Sequence, residues 1–184
     1  MAETTSTCSS EGLANVAGVN AAQVRKDLSY LGSHGTRGVG YDIDELRVQI
    51  RKALGMTTSH NVVIIGAGNL GSALAGYQGF ENWGFEIAAI LEVDEDKIGS
   101  KVGHHAVESL HRLENIVAER DIRIGIIATP PSAAQDVADR LMEAGVKSIL
   151  NLAPIIIKTT EEVSVRRVDL STELGILAYH LNRP

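Results

Sequence analysis

The sequence predicts an α/β chain with a doubly wound parallel sheet, preceded by a small helical domain, and three observations carry that prediction. The apolar run Val62, Val63, Ile64 and Ile65 enters Gly66-Ala67-Gly68-Asn69-Leu70-Gly71, which reads as a buried strand turning into a helix. A second apolar run, Phe85 to Leu91, ends in Glu92, which stands 21 residues after Gly71. Beyond it, runs of strand length alternate with helical patterns, as in βαβ units whose crossovers keep the strands parallel. The first two observations also make a dinucleotide-binding pattern. Gly66 allows the tight turn, Gly68 lets backbone N–H groups approach a pyrophosphate, and Gly71 lets the helix pack closely on the strand. The pyrophosphate then sits at the positive end of the helix. Gly-rich turns also arise as plain chain reversals, but here strand, turn, helix, strand and acid come in order. A carboxylate at Glu92 meets the adenosine ribose hydroxyls and repels a 2′-phosphate, so NAD(H) is expected over NADP(H).

In chain order, Met1 to Thr7 has little apolar content and starts no element. A short helix follows from about Ser10 to Ala17, Gly18-Val19 turn the chain, and Asn20 caps a second helix from Ala21 to about Leu31. This is helix-turn-helix spacing. Ala21, Val24, Leu28 and Leu31 share one face, which is expected to be core. The opposite face carries Ala22, Gln23, Lys26, Ser29 and Tyr30, with Arg25 at its flank, and such residues can reach base edges and phosphates in a major groove. The same spacing also describes a solvated amphipathic helix. Gly32 to Tyr41 holds four glycines and Arg37, either a short hairpin presenting Arg37 to a minor groove or a flexible linker. Asp42 caps a helix from Ile43 to Leu54, with Leu46, Ile50 and Leu54 expected inward, and Gly55 to His60 joins it to the main domain.

Past the glycine turn, a helix from Leu70 to about Tyr77 is rich in Ala, Gly and Ser, which suits close packing on a sheet. Tyr77-Gln78-Gly79-Phe80 ends it, near where the nicotinamide half of a dinucleotide is expected. A helix from about Leu110 to Arg120, a strand Ile124 to Ala128, a helix Ser132 to Ala144, strands Ser148 to Leu152 and Val163 to Val168, and a helix Leu170 to Leu181 follow. Thr129-Pro130 come after a strand's carboxyl end, where open α/β sheets place ligands. The last helix carries Leu170, Leu174, Leu177, Ala178 and Leu181 as a wide apolar stripe after the sheet is complete. It is expected either to cover a partner subunit or to pack back on its own sheet.

The 184 residues, 44% apolar and 22% charged, suit one domain with a small appendage. No apolar run approaches the ~20 residues needed to span a bilayer, and the N-terminus lacks a signal-peptide core, so a cytoplasmic protein without membrane contact is expected. One cysteine, Cys8, excludes an intrachain disulfide framework. Residues 1 to 55 balance six basic against six acidic side chains, so the net charge of −6 belongs to the rest. Arg25, Lys26 and Arg37 face only Asp27 between residues 20 and 40, a basic island suited to a phosphate backbone.

Asn20-Ala21-Ala22-Gln23-Val24-Arg25-Lys26-Asp27-Leu28-Ser29-Tyr30, Gly35-Thr36-Arg37-Gly38-Val39-Gly40-Tyr41, Gly66 to Ala75 and Asn151-Leu152-Ala153-Pro154 together resemble the bacterial redox-sensing transcriptional repressors of the Rex family, over about Cys8 to Leu181. The resemblance implies a winged-helix DNA-binding domain (1–58), a Rossmann NAD(H)-binding domain (59–168), and a C-terminal helix (169–184) exchanged in a homodimer. It further implies that NADH binding closes the dimer and moves the recognition helices out of register with operator DNA, while NAD+ competes. The family's tyrosine beside the nicotinamide is matched by Tyr77, and the aspartate that opens the exchanged segment by Asp169, as a coupling pair. On residues alone, Tyr77 also reads as a helix-end core residue and Asp169 as the N-cap of the last helix.

Members of the family carry a further helix ahead of the position of Ser9-Ser10-Glu11, where this chain has only Met1 to Cys8 and Met1-Ala2-Glu3 reads like that helix's tail. The expectation is therefore a truncated winged helix in which Leu13, Val16, Val24 and Leu28 lack a covering layer, each exposure costing roughly 1.5 to 3 kcal/mol. An arginine that the family supplies toward the Asp169 position is then missing too. DNA binding by this chain is expected to be weak and poorly specific, with NADH binding intact. Gly12, where a stronger helix former is usual, costs about 1 kcal/mol of helix propensity. The rival readings are a small NAD-dependent oxidoreductase and a module that binds NAD(H) or coenzyme A without DNA. No acid or base beside the nicotinamide, and no substrate domain, supports the first. None of Tyr30, Tyr41, Tyr77 and Tyr179 has a lysine four residues on, and His104-His105 read as loop residues rather than metal ligands. Glu92 opposes the ribose 3′-phosphate of coenzyme A.

Overall fold

The computed structural model describes residues 7–32 and 35–181. The expectations for Met1 to Ser6, and for Ser33-His34 within the glycine-rich segment, lie outside the described residues. The contacts divide the chain between Thr58 and Ser59 into two units.

In the first unit, three helices begin where short polar side chains satisfy free backbone N–H groups. Ser9 accepts from the Gly12 N–H (3.0 Å) to open α1 (Ser10–Ala17), and Asn20 accepts from the Gln23 N–H (2.8 Å) to open α2 (Ala21–Tyr30). Asp42 accepts from the Glu45 N–H (2.9 Å) to open α3 (Ile43–Ala53), whose ends carry Asp44 and Glu45 first and Arg51 and Lys52 last, in favour with the helix dipole. Two short strands, β1 (Thr7–Cys8) and β2 (Tyr41–Asp42), pair antiparallel, so the start of the described chain does form an element. Ala14, Val24, Leu28, Tyr41 and Leu46 make the small core, with Leu13, Ala21 and Ile50 against it. This corrects the expectation of an uncovered layer: Tyr41 and α3 cover Val24 and Leu28, Leu13 is half-buried, and Val16 alone of the four stands out, 92% exposed. Leu31 and Leu54, expected inward, are exposed because each lies one residue past its helix, where the 3.6-residue period no longer aims the side chain.

The second unit is a seven-stranded sheet in the order β5-β6-β4-β3-β7-β8-β9. Its strands are β3 (His60–Ile65), β4 (Phe85–Glu92), β5 (Lys101–Val102), β6 (His105–Ser109), β7 (Ile124–Ile127), β8 (Ser148–Asn151) and β9 (Ser164–Arg167). All neighbours are parallel except the β5–β6 hairpin, which the sequence reading did not foresee and which makes His105 a strand residue. The chain builds β4 and β6 to one side of β3, then returns to add β7, β8 and β9 on the other, so the winding reverses between β3 and β7. That reversal opens a crevice at the carboxyl edge.

Alternate residues of β3 feed opposite faces. Val63 and Ile65 pack with α6 (Leu113–Glu119) and α7 (Pro131–Glu143), whereas Val62 and Ile64 pack on the side of α4 (Asn69–Ala75). The expected helix from Leu70 to Tyr77 is shorter, followed by the single turn α5 (Gly79–Asn82), and the one from Leu110 opens as a 3-10 turn. In β4 the pairing to β3 skips Ala88, a bulge. Its carbonyl accepts from Arg120 (2.6 Å), which Glu108 neutralises at 2.7 Å. The last helix, α8 (Leu170–Leu181), has no buried residue, so it does not pack back on its own sheet.

Candidate functional site

The backbone ladder runs one residue past each central strand. Gly66 N–H donates to Leu91 O (2.8 Å), Ala128 N–H to Ile65 O (2.9 Å) and Leu152 N–H to Ile127 O (3.0 Å), so the turns after β3, β7 and β8 leave the sheet at one level. The turn after β3 depends on its glycines. Gly66 has φ 106°, and a Cβ there would stand 2.6 Å from Ala128 O; a Cβ on Gly71 would overlap the Gly66 carbonyl oxygen. A Cβ on Gly68 meets nothing within 4 Å, because this glycine faces open space where α4 begins without a side-chain cap. Backbone N–H groups at that terminus are thus free to meet an anion.

Glu92, at the end of β4, is one of two buried polar side chains among the described residues. Its Oε2 accepts from the Ala67 N–H of the glycine turn (2.8 Å), and its Oε1 from the N–H groups of Val93 (2.8 Å) and Asp94 (3.3 Å). Burial pushes the carboxyl up, but those N–H groups and the charge of Lys97 outweigh it and hold the group below the ordinary carboxylate range. Lys97 lies 3.8 Å from Glu92 and 3.4 Å from Asp94, which leaves the trio at a net charge of −1, still opposed to an added phosphate. A carboxylate has about four acceptor positions. Three backbone bonds therefore leave Glu92 too few free lone pairs to accept from both ribose hydroxyls as the sequence reading had it, unless it gives one up.

These groups line a cavity of 520 Å³ with Gly66, Gly68, Asn69, Leu70, Val93, Thr129 and Pro130. Exposed Val93 and Leu70 offer apolar surface suited to a flat base. The Thr129 hydroxyl is buried without a hydrogen-bond partner from the protein, and a polar ligand atom suits it. The sequence reading missed Lys97 and Val93; their signal was the position of Val93 to Lys97 directly after the acid-ending strand.

Tyr77 does not line this cavity. Helix α4 runs away from the carboxyl edge, so a residue two past its end lies elsewhere: 60% exposed, on a second cavity of 790 Å³ with Phe80, Phe85, His104, His105 and Arg120. Its exposure also removes it from the core. The rings of His104 and His105 lie with centres 3.9 Å apart, tilted by 41°; burial first, then His104, keeps the His105 pKa below its usual value against the opposing pull of Glu86 and Glu81. Among the described residues no cluster of His, Cys, Asp and Glu has metal-ligand geometry. Asp169 precedes α8, accepts from the N–H groups of Ser171 (3.0 Å) and Thr172 (3.4 Å), and pairs with Arg167 at 3.0 Å.

In the first unit, Ala22, Gln23, Arg25, Lys26, Ser29 and Tyr30 are all exposed on α2. Several are pre-set by neighbours: Arg25 donates to the Ser10 hydroxyl (3.0 Å), Gln23 to Asp27 (2.7 Å), and the Ser29 hydroxyl to Lys26 O (2.6 Å). Asn20 spends its carbonyl oxygen on the helix cap, leaving its amide N–H group as the donor. Thr36 and Gly40 pair through backbone bonds of 2.7 and 2.9 Å, closing a tight turn with exposed Arg37 at its tip, a hairpin rather than a linker.

A family described as CoA binding domain matches residues 57–155, and one described as Putative DNA-binding protein N-terminus matches residues 1–29. The chain is 53% identical over 177 residues to the redox-sensing transcriptional repressor Rex of Streptomyces griseus, covering 96% of this chain and 70% of the relative. It is 48% identical to the protein of the same description from Carboxydothermus hydrogenoformans, covering 96% and 85%. A crystal structure of RSP in complex with β-NAD+ and operator DNA superposes with a TM-score of 0.89 at 39% identity, covering 96% of this chain and 81% of that one. RSP in complex with β-NADH superposes at 0.83 and 38% identity, covering 96% and 82%.

Proposed function

The chain belongs to the Rex family of redox-sensing transcriptional repressors, and from that membership we propose that it represses transcription in the cytoplasm by holding operator DNA until NADH binds. DNA is met by α2 through Gln23, Arg25, Lys26, Ser29 and Tyr30, with Arg37 reaching from the hairpin. NAD(H) lies along the crevice, with its adenosine ribose at Glu92, its pyrophosphate over Gly66 to Gly71, and its nicotinamide half toward Thr129 and Pro130. Bound there, the nicotinamide supplies the redox signal as a change of ring charge, without turnover by the protein. The observation that carries this reading is one chain holding both a basic helix-turn-helix face and an acid-ended cavity beside an open glycine turn.

The apolar stripe of α8 supports a homodimer: Leu170, Leu174, Leu177 and Leu181 are 60 to 85% exposed within one chain. When α8 is exchanged, Asp169 travels with it, so a coupling of Asp169 with Tyr77 runs between subunits and is made at the second cavity, away from the glycine turn. The coenzyme A reading draws on the description of the matched family, but the net negative trio Glu92, Asp94 and Lys97 opposes a ribose 3′-phosphate. The test selects duplexes from a random pool on the immobilised chain, then follows their release by anisotropy. NADH is expected to release DNA, and NAD+ and coenzyme A to leave it bound. Retention of DNA at saturating NADH, or consumption of NADH, overturns the reading.

A further inference from the structure

Among the residues of α2 stands one of the wrong charge for DNA. Asp27 is the only acid of Ala21–Tyr30, it is exposed, and a carboxylate on a face that meets phosphates costs repulsion. It adds little to the helix itself, as side-chain pairs four residues apart do. Its contact is nevertheless specific: Asp27 Oδ1 accepts from Gln23 Nε2 at 2.7 Å. Gln23 is the third residue of α2, in the N-terminal part of a recognition helix that reaches base edges. Its backbone N–H donates to the Asn20 cap (2.8 Å), which fixes the point from which the side chain leaves.

The carboxylate decides which way the Gln23 amide faces. An amide offers an acceptor oxygen and an NH2 group with two donors. Turned over, it would set its oxygen against the Asp27 carboxylate, lone pairs to lone pairs. The NH2 group therefore faces Asp27 and gives it one N–H. What remains for a groove is one donor beside one acceptor. That pair matches adenine, whose major-groove edge sets the N7 acceptor beside the N6 donor. It opposes guanine, whose N7 and O6 both accept. A Gln23 free to turn could instead offer both N–H groups to guanine.

We infer that Asp27 is a positioning residue for base recognition: by holding one N–H of Gln23 it sets that side chain to accept adenine and reject guanine. This rests on the DNA reading above. The test starts from the duplex that the full chain selects from a random pool. Its A·T pairs are changed to G·C one at a time, and competition anisotropy ranks the affinities.

At one pair in each half-site the wild type should prefer A·T by about 5- to 150-fold, and Gln23→Ala should abolish that preference. Asp27→Ala should reduce it about fivefold, chiefly through tighter binding of the G·C duplex, while preferences at the other pairs stay. Alanine is the better helix former, so folding is not at risk. Asp27→Asn keeps an oxygen that can accept the Gln23 N–H and should restore most of the lost preference. A merely structural Asp27 would alter the affinity of every duplex alike. An Asp27→Ala chain with its A·T preference intact, an Asp27→Asn chain no better than Asp27→Ala, or a Gln23→Ala chain that keeps the preference overturns the role given to Asp27. A wild type that selects no duplex overturns the DNA reading itself, which is a different failure.

Discussion

Replacing Glu92 by glutamine keeps the shape of the side chain and removes its charge, and the structure gives two consequences of different size. The carboxylate accepts three backbone N–H bonds, one of them from Ala67 inside the glycine turn. An amide has one acceptor oxygen, so whichever way it turns, at least one N–H group faces an NH2 group. A buried donor left so costs about 1 to 3 kcal/mol, and the unliganded protein should lose about 2 kcal/mol of stability. NADH should weaken by a similar amount, about 30-fold, as charge-assisted contact with the ribose becomes neutral. For NADPH the change also removes a repulsion. Unit charges ~5 Å apart repel by about 3 kcal/mol at an effective dielectric of ~20. Lys97 and partial exposure reduce that to about 1.5 kcal/mol, so the NADH to NADPH gap should narrow about tenfold. Titration calorimetry with both cofactors, beside urea unfolding without them, reads each term. Equal affinities of the wild type for NADH and NADPH, or a gap untouched by Glu92→Gln, would refute the reasoning. Since the folded Glu92 pKa is depressed, its contribution is full above the ordinary carboxylate range and is lost as pH falls through the folded value; Glu92→Gln should flatten that loss.

Three further outcomes follow from the geometry. Gly71→Ala places a methyl group against the Gly66 carbonyl, so the turn must shift; a loss of about 1 to 3 kcal/mol in thermal unfolding and of NADH binding is expected, and an unchanged cofactor affinity would contradict the tight turn. Deleting the chain after Asp169 should turn dimers into monomers or aggregates by sedimentation, because the α8 stripe is apolar and uncovered; a soluble dimer would count against exchange. Lys26→Ala and Arg37→Ala should each lower the slope of log binding constant against log salt by about 0.9, and an unchanged slope would remove that side chain from the phosphate contacts.

The strands and the glycine turn were legible because their signals are local: an apolar run, glycines at fixed spacing, an acid at the next strand's end. Helix α2 could be read from Asn20 and the period of Val24 and Leu28. What escaped depends on distant contacts. Nothing near Ala88 announces a bulge, whose carbonyl is satisfied by Arg120 32 residues on. The β5–β6 hairpin is too short for its alternation to stand out. The placement of Tyr77 turned on the direction of α4, which spacing does not encode. Val24 and Leu28 are expected bare for want of a helix ahead of them, whereas their cover comes from Tyr41 and Leu46, later in the chain.

The bond from Ala67 to Glu92 has a kinetic side. It braces the glycine turn with a side chain of the protein itself, so a dinucleotide entering the cavity meets a turn already held. Association with a preformed site then proceeds at rates of the order of 10⁵ to 10⁷ M⁻¹s⁻¹, and both redox forms should arrive at similar speed. Their difference in affinity is left to residence time. A repressor built this way samples the pool quickly and responds through how long the reduced form stays.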